Sequence, residues 1–236
     1  MTAPRASSPG WWRAPVFAVC AALLCFSAAL AMFSAFMFYD DEGYVLLSLR
    51  NYAEHGGLYR EVYTQYGPFP FVLYHLLHLA GLPFTHVAGR LVTLAAWAGV
   101  ALGCAAVVWQ AARSFLTTLA VLAGAFLYLW IMVSEPTHPG SLIALLVALA
   151  AVLGYRCLAR GRNEAWAALV GAIAGALVLT KINVGGFVVL AALAWIALHH
   201  TSAGLRRWAP WGVAAGGVLV PLALMRPVLG LDWVQT

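Results

Sequence analysis

The sequence predicts an all-α, polytopic membrane protein with about seven transmembrane helices and an outer loop that carries short juxtamembrane helices. Of its 236 residues, 64% are hydrophobic and only 9% are charged, whereas soluble domains carry about a quarter charged residues. Its apolar runs approach or exceed the roughly 20 residues that a helix needs to cross a bilayer. They lack the strict alternation of β-barrel strands, which excludes a barrel.

Seven uncharged runs are long enough, or nearly so, to span a membrane. Short polar or charged separators lie between them, and no linker or repeat interrupts the series, so we predict one transmembrane domain over 1–236. The first run is too long for the core of a cleaved signal peptide and is predicted to be retained. The predicted spans are 15–38, 91–112, 114–134, 137–155, 165–180, 182–199 and 208–225.

Positive charges predict the orientation of these helices. The segment 67–84 either spans the membrane or lies on its surface. With a cytoplasmic N-terminus and a surface segment, eight Lys and Arg residues face the cytoplasm, whereas a spanning segment lowers that count to five. Because cytoplasmic loops are rich in basic residues, the surface placement is favoured. It puts seven of the eight acidic residues on the outer side.

The predicted outer loop covers 39–89 and holds two interfacial helices, at about 43–55 and 69–80. Gly56 and Gly57 end the first helix, since glycine is the usual residue after a helix C-terminus. The dipeptide at 67–68, Gly-Pro, marks a turn into the second helix. The polar chemistry of the chain is therefore concentrated on one side of the membrane.

Three consecutive carboxylates, Asp40, Asp41 and Glu42, follow the first predicted span. We expect them at the C-terminal end of that helix, where they repel one another and oppose the helix macrodipole. One explanation is a solvated loop that stops the helix. The other is a functional group at the rim of a membrane cavity, either a general base toward a hydroxyl or ligands for a divalent ion.

Aromatic residues and one arginine accompany these carboxylates in the outer loop. Tyr44 follows them directly, and Tyr59, Arg60 and Tyr66 lie between the two loop helices. Tyrosines at a membrane face are commonly interfacial belt residues. Alternatively, they form a wall on which a sugar stacks, because an aromatic ring packs against the C–H face of a pyranose. We predict this substrate-binding role for all four residues.

Two basic residues stand on the outer side, where the positive-inside rule disfavours them. Lys181 is the only lysine in the chain and separates two apolar runs in LVLTKINVGGF, and Arg90 opens the second span. Arg90 alternatively serves as a snorkelling interface anchor. Ionisable residues at membrane segments are functional candidates by default. We predict that both residues neutralise a phosphate at the outer leaflet.

The outer turn SEPTHPG places Glu135 and His138 three residues apart. A Glu-x-x-His pair binds a metal when a helix aligns the two side chains, but Pro136 and Pro139 break such a helix here. We therefore predict no metal site in this turn. Both residues are instead assigned to the polar wall of a substrate cavity.

The order of these motifs is familiar. DDEGY follows the first membrane helix, HGGLYREV ends the first loop helix, TQYGPFPFVLYHLL turns into an apolar surface helix, and AGRLVTLAAW opens the next span. Together they resemble the GT-C glycosyltransferases. Within that superfamily the chain looks most like the dolichyl-phosphate-mannose protein mannosyltransferases, the aminoarabinose transferases and the Rgt-type transferases. GALVLTKINVGG is similar to their Gly-rich helix ending in Leu-Thr-Lys, so the resemblance covers about 12–186.

The resemblance implies a hexosyl or pentosyl transferase that uses a polyprenyl-phosphate-linked sugar and acts on the periplasmic or lumenal face. The acceptor is a hydroxyl of a lipid, a glycan or a protein, and no cofactor is certain, with a divalent cation left open. The family's acidic pair matches Asp41 and Glu42, which makes Asp41 the expected base, with Glu42 in support and Asp40 as an extra carboxylate. Its phosphate-facing basic groups match Lys181 and Arg90.

Two departures from the family bear on these expectations. Family members usually have more helices and often a C-terminal soluble domain, so we expect this chain to be an N-terminal fragment. Their Pro-Pro turn appears here as Gly67-Pro68. We expect an integral protein of a bacterial inner or plasma membrane, with a cytoplasmic N-terminus and an extracytoplasmic active face.

Other function classes fit the sequence less well. The net charge of +5 comes from scattered residues that form no basic stripe, which argues against nucleic acid as a partner. A transporter or a lipid flippase remains the alternative, although such proteins show charges near the bilayer midplane or matching broken helices in two halves. A non-catalytic membrane scaffold would need none of the outer polar residues.

Overall fold

The computed structural model of the protein describes residues 10–35, 41–159, 163–198 and 203–226. These residues form helices and no extended strand, which confirms the all-α prediction. The helices are α1 (Arg13–Ser34), α2 (Asp41–His55), α3 (Pro68–Leu79), α4 (His86–Ala112), α5 (Phe115–Leu129), α6 (Pro139–Ala159), α7 (Asn163–Val178), α8 (Ile182–Leu198) and α9 (Ala203–Met225).

Four stretches of helix in the described residues are long and apolar enough to cross a membrane. They are Arg13–Ser34, His86–Ala112, Phe115–Met132 and Pro139–Arg156. Two shorter apolar stretches, in α7 and α8, have between 10 and 17 residues. The molecule is thus a helical protein of the integral membrane type, and the total of seven spans stays a prediction.

The first helix is shorter than the predicted span 15–38. It ends at Ser34, and Ala35 has left the helical conformation with φ −81° and ψ 128°. Residues 36–40, which include the predicted site residue Asp40, lie outside the described part of the chain. The predicted helical end at 38 is therefore wrong, because an uncharged run shows where a helix can continue but does not show where the backbone turns.

Asp41 and Glu42, two of the three consecutive carboxylates, belong to α2 and not to α1. Asp41 and Glu42 form the first turn of α2, so the expectation that they oppose the macrodipole of a helix C-terminus is wrong. A helix N-terminus carries partial positive charge and stabilises an anionic side chain by about 0.3–1 kcal/mol. The placement that seemed costly in the sequence is favourable in the fold.

Side-chain caps set the beginnings of two membrane helices. Thr85 precedes α4, and its hydroxyl oxygen accepts the backbone N–H of Ala88 at 3.3 Å. Ser114 does the same for α5, accepting from the N–H of Thr117 at 3.4 Å. Caps of this type satisfy N–H groups that have no partner inside the helix. The cap at Thr85 starts α4 at His86, five residues before the charge-based estimate of 91.

The short helix α3 does not take the chain across the molecule. Its 12 residues span about 18 Å at 1.5 Å per residue, against a hydrocarbon core of about 30 Å. Backbone hydrogen bonds tie its start to the end of α7, from Gly67 N to Thr180 O and from Phe69 N to Leu179 O, both at 2.9 Å. The loop between α1 and α4 therefore leaves from and returns to one end of the helices.

The main core lies among α1, α4, α5 and α6. Its fully buried members include Met32, Trp97, Leu122 and Phe126. The indole N–H of Trp97 donates to the hydroxyl of Ser141 at 2.9 Å, which joins α4 to α6 by a polar contact inside this apolar layer. A second, smaller cluster joins α2, the segment after it and α3, and consists of Leu49, Val62, Phe71 and Tyr74.

The chain divides into two compact units, 1–185 and 186–236, and the division falls inside α8. The first unit contains α1 to α7. The second contains most of α8 and all of α9, with a groove of about 440 Å³ lined by small residues such as Ala209, Gly212 and Gly216. The single transmembrane domain predicted over 1–236 stays a prediction.

Replacing Gly67 by Ala is expected to destabilise the first unit. The φ of Gly67 is −71°, which any residue adopts, so the effect is purely steric. A Cβ at this position would collide with the backbone carbonyl of Leu179, which cannot rotate away as a side chain does. Overpacking of this kind costs about 1–3 kcal/mol. We expect a lower midpoint of thermal unfolding in detergent.

The matched control is Gly175→Ala in α7. A Cβ there meets no heavy atom within 4 Å, so this variant should unfold at the wild-type temperature or slightly above it. Equal stability of the two variants would show that the contact between α3 and α7 does not constrain the fold.

Candidate functional site

Polar residues from four parts of the first unit meet at one end of its helices. They come from the start of α2, the loop between α2 and α3, the turn between α5 and α6, and the link between α7 and α8. The contact between Tyr66 and His138 joins residues 72 positions apart, which shows that this is a tertiary cluster. We call the set Asp41, Tyr66, Glu135, His138 and Lys181 the outer cluster.

A buried ion pair supports this end of the molecule. Glu42 and Arg90 are 6% and 8% exposed. Nε of Arg90 donates to both carboxylate oxygens of Glu42 at 3.1 Å, and its Nη2 donates to Oε2 at 2.8 Å. Its Nη1 donates to the carbonyl of Met32 at 2.9 Å. His86 approaches the same carboxylate, with Nδ1 3.0 Å from Oε2. These contacts join α1, α2 and α4.

The ion pair places the side chains of Arg90 and Glu42 in the protein interior, where the sequence did not predict them. Arg90 was predicted to face a lipid phosphate, but these contacts direct its guanidinium into the protein, where it also lies 5.8 Å from the ring centre of Phe33. Glu42 is equally enclosed. Direct contact of Arg90 with a phosphate stays a prediction, and the geometry favours support of α2 as its role.

Asp41 and Glu42 are neighbours with opposite environments. While Glu42 turns into the buried ion pair, Asp41 is exposed and makes no ion pair with any described residue. The Asp41 charge reaches the outer cluster, where it raises the pKa of both Tyr66 and His138. Asp41 is thus the acidic residue of the pair that stays available to a bound molecule.

Tyr66 and His138 form the closest contact in the outer cluster. The Tyr66 hydroxyl lies 2.6 Å from Nε2 of His138, and the two rings meet edge to face with centres 5.5 Å apart. The other ring nitrogen of His138, Nδ1, accepts the backbone N–H of Gly140 at 3.0 Å. Because Pro139 begins α6, His138 occupies the N-cap position and caps that helix through its ring.

The charges around this contact shift the pKa of both side chains. Burial lowers the pKa of His138 below its ordinary value near 6.5, and nearby Lys181 lowers it further, while Glu135 and Asp41 oppose the shift. Burial, followed by the charges of Glu135 and Asp41, raises the pKa of Tyr66. At neutral pH the pair therefore consists of an uncharged imidazole and a protonated phenol.

Lys181 is placed by the short link between α7 and α8. Its backbone N–H donates to the carbonyl of Leu177 at 2.8 Å, and its carbonyl accepts the N–H of Gly185 at 3.1 Å. Its side chain is exposed, with Nζ 6.0 Å from the centre of the Tyr66 ring. The only lysine of the chain thus stands over the aromatic member of the outer cluster.

The remaining predicted substrate-binding residues lie in or beside the loop after α2. The Tyr44 hydroxyl donates to the carbonyl of Tyr63 at 2.7 Å, and the Tyr59 hydroxyl donates to the carbonyl of Tyr66 at 3.0 Å. Tyr44 and Tyr59 are about half exposed, so their rings brace the loop and still present a face outward. Arg60 is exposed in the same turn, with no described contact to Tyr66.

Sequence reasoning missed the residues that hold the turn before α6. Thr137 is fully enclosed and has a positive φ of 70°, an uncommon conformation for a β-branched residue. Its N–H donates to the hydroxyl of Thr93 at 2.8 Å, and a Cβ on Gly89 would collide with its Oγ1. Flanking prolines signalled a turn here, but no sequence signal specified its contact with α4.

A cavity of about 220 Å³ lies beside this turn, among α3, α4 and α6. His138 lines it together with Tyr74, Thr93 and Ser141. No cluster of three or more metal-ligating side chains occurs among the residues that the structure describes.

Comparisons with known proteins found no family model, no curated protein and no solved structure that matches the chain. The resemblance to GT-C glycosyltransferases consequently stays a prediction from the motifs. What the arrangement does chemically follows from the outer cluster itself, which combines one exposed carboxylate, one exposed ammonium group and a hydrogen-bonded phenol and imidazole.

Replacing Glu42 by Gln is expected to destabilise the protein strongly. The amide keeps the shape of the carboxylate but leaves the buried guanidinium of Arg90 without a counter-charge. Breaking a buried pair in this way costs about 3–5 kcal/mol. The free energy of unfolding in mixed micelles, followed by helix content during denaturing-detergent titration, provides the measurement.

Glu54→Gln is the matched control, because Glu54 pairs with Arg50 at 2.8 Å on the exposed face of the same helix. Exposed pairs contribute little, so this variant should resemble the wild type. If Glu42→Gln proved as stable as Glu54→Gln, the buried pair would not be a structural constraint.

Proposed function

We propose that the protein is an integral membrane glycosyltransferase of the GT-C type. It moves a hexose or pentose from a polyprenyl-phosphate donor to a hydroxyl of a lipid, glycan or protein on the extracytoplasmic face. The observation that carries the proposal is the convergence of Asp41, at the start of α2, with Tyr66, His138 and Lys181 from three connections between helices. Such a reaction needs a base, a cation for the leaving phosphate, and polar contacts between them.

In the proposed reaction the acceptor oxygen attacks the anomeric carbon of the donor sugar. The bond from that carbon to the acceptor oxygen forms as the bond to the phosphate oxygen breaks, so one displacement inverts the configuration. Asp41 takes the acceptor proton, and the polyprenyl phosphate leaves with the electron pair of the broken bond. General base assistance of this kind is worth roughly 10²–10⁴-fold in rate.

The exposure of Asp41 supports its assignment as base in preference to Glu42. A base must reach the proton that it removes, and Asp41 is exposed while Glu42 is held by Arg90 at distances down to 2.8 Å. Arg90 acts in this proposal through Glu42, by fixing the first turn of α2. Tyr44 and Tyr59 supply the outward aromatic faces against which the sugar packs.

Lys181 supplies the positive charge for the departing phosphate. Its ammonium group is exposed and stands at the same cluster as Asp41, as their opposing influences on His138 indicate. A fixed cation next to a developing anion stabilises the transition state most where water is scarce. A site at the membrane surface, with apolar helices on one side, offers such surroundings.

Asp41→Asn is expected to reduce sugar transfer by at least about 100-fold without changing protein abundance, because the amide cannot accept the acceptor proton. The measurement is incorporation of radiolabel from polyprenyl-phosphate-linked mannose, glucose and arabinose into the lipid, glycan and protein fractions of membranes that contain the protein.

Glu61→Gln serves as the control, since it removes an exposed carboxylate from the same loop without touching the outer cluster. It should transfer sugar at the wild-type rate. Undiminished transfer by Asp41→Asn at equal abundance would remove Asp41 from the role of base, and transfer by neither protein above empty membranes would contradict the proposed activity.

Lys181→Ala is expected to weaken binding of farnesyl phosphate, a short polyprenyl phosphate, by about 10-fold or more, since a charged hydrogen bond contributes about 1.5–3 kcal/mol. Calorimetric titration of the purified protein in detergent measures the effect. Addition of salt should reduce the difference in affinity for farnesyl phosphate between Lys181→Ala and the wild type, because the lost interaction is partly electrostatic.

Arg50→Ala is the control for loss of a positive charge, as Arg50 is exposed on α2 and pairs only locally with Glu54. It should bind farnesyl phosphate as the wild type does. A scaffold without a phosphate site would show no effect of Lys181→Ala, and a lipid carrier or flippase would bind the phosphate but transfer no sugar in the preceding assay.

A further inference from the structure

The hydrogen bonds of His138 determine which of its nitrogens carries the proton. Nδ1 lies 3.0 Å from the backbone nitrogen of Gly140, and an amide N–H can only donate. Nδ1 must therefore present its lone pair. In a neutral imidazole one nitrogen accepts and the other donates, so the hydrogen resides on Nε2.

This tautomer sets the direction of the contact with Tyr66. The Nε2–H of His138 donates to the Tyr66 oxygen across 2.6 Å. A phenol that accepts from His138 cannot also donate to it, so the Tyr66 hydrogen turns toward another acceptor. The same contact polarises the O–H bond and makes the hydroxyl a better donor, because hydrogen bonds in a chain strengthen one another.

Charged groups near this hydroxyl act on its pKa. Glu135 and Asp41 raise its pKa, and the exposed side chain of Gln65 lowers it by hydrogen bonding. Lys181 stands over the ring. The phenol thus keeps its proton over the whole physiological pH range. A ligand that reaches this hydroxyl meets a donor O–H beside the exposed ammonium group of Lys181.

We propose that Tyr66 donates its hydroxyl hydrogen to a phosphate oxygen of the polyprenyl-phosphate ligand, and that His138 is a positioning residue that fixes this direction. The inference rests on the proposed function and adds a second phosphate contact beside Lys181. Phosphate suits the arrangement because it offers several acceptor oxygens and no obligatory donor. A sugar hydroxyl carries no negative charge to pair with the ammonium group of Lys181.

His138 gives this contact a pH dependence of known sign. Protonation places a hydrogen on Nδ1, which then faces the N–H of Gly140 and loses the capping bond. The cap that holds the ring against Tyr66 therefore requires the neutral form. Burial keeps the pKa of His138 below 6.5, with Lys181 lowering it further against the opposing charges of Glu135 and Asp41. The contribution of His138 is therefore complete above pH 6.5 and is lost as the pH falls through its lowered pKa.

The test compares farnesyl phosphate and farnesol as probes for the wild type, Tyr66→Phe, His138→Asn and the double variant. Asparagine is a preferred N-cap residue, so His138→Asn keeps an acceptor for Gly140 but has no donor that reaches Tyr66. Each single variant should bind farnesyl phosphate about 10-fold more weakly. The double variant should bind no more weakly than Tyr66→Phe, since His138 acts through Tyr66.

Farnesol binding should be the same in all four proteins, because the alcohol lacks the phosphate. Binding of farnesyl phosphate should weaken below pH 6.5 in every variant, because the phosphate itself takes up a proton with a pKa near 6. The loss of affinity should be steeper for the wild type than for Tyr66→Phe, in which His138 has no hydroxyl to position. Equal thermal unfolding midpoints of His138→Asn and the wild type show that the α6 cap is kept. If His138→Asn has a lower thermal unfolding midpoint than the wild type, His138→Ser replaces it in the test, because serine is also a preferred N-cap residue.

Wild-type affinity of Tyr66→Phe for farnesyl phosphate would overturn the proposal. Additive losses in the double variant would overturn the positioning role of His138, and an equal loss of farnesol binding would show a general packing role. Lys181→Ala separates this inference from the proposed function. A phosphate defect in Lys181→Ala with none in Tyr66→Phe leaves the phosphate site in place and removes Tyr66 from it.

Discussion

The buried ion pair between Glu42 and Arg90 is the constraint on which the helix ends around the outer cluster depend. Taking either charge alone out of water costs several kcal/mol, so each is tolerated only in contact with its partner. Nη1 of Arg90 also donates to the carbonyl of Met32, a buried residue in the last turn of α1. One guanidinium therefore fixes three helices relative to one another.

Asp41 receives its position from this pair. Asp41 makes no ion pair with any described residue, but it directly precedes Glu42 at the start of α2. Because Glu42 is held in the protein interior, the first turn of α2 is fixed and Asp41 is left exposed. His138 is held in a similar way, because the hydrogen bond from Gly140 that caps α6 fixes the ring that contacts Tyr66. Structural bonds thus hold the groups that remain available for chemistry.

Particular residues show how far sequence reasoning reached. Charge and composition indicated a helical membrane protein with its polar residues in a few connections, and Tyr66, His138 and Lys181 were selected from those connections. The same reasoning misplaced Asp41 and Glu42 at the end of the first helix, because a continuous apolar run hides the break at Ala35. It also treated Arg90 as outward-facing, since a lone arginine at a predicted helix start does not reveal a carboxylate 48 residues away.

The sequence by itself determined the helical membrane class, the approximate helices and the residue types of the outer cluster, because hydropathy and turn residues act locally along the chain. Only the tertiary structure decided which carboxylate is buried, which is exposed, and that Tyr66 meets His138 beneath Lys181. Those outcomes depend on desolvation and on contacts between distant segments. Both are properties of packed helices, and no local pattern of residues encodes them.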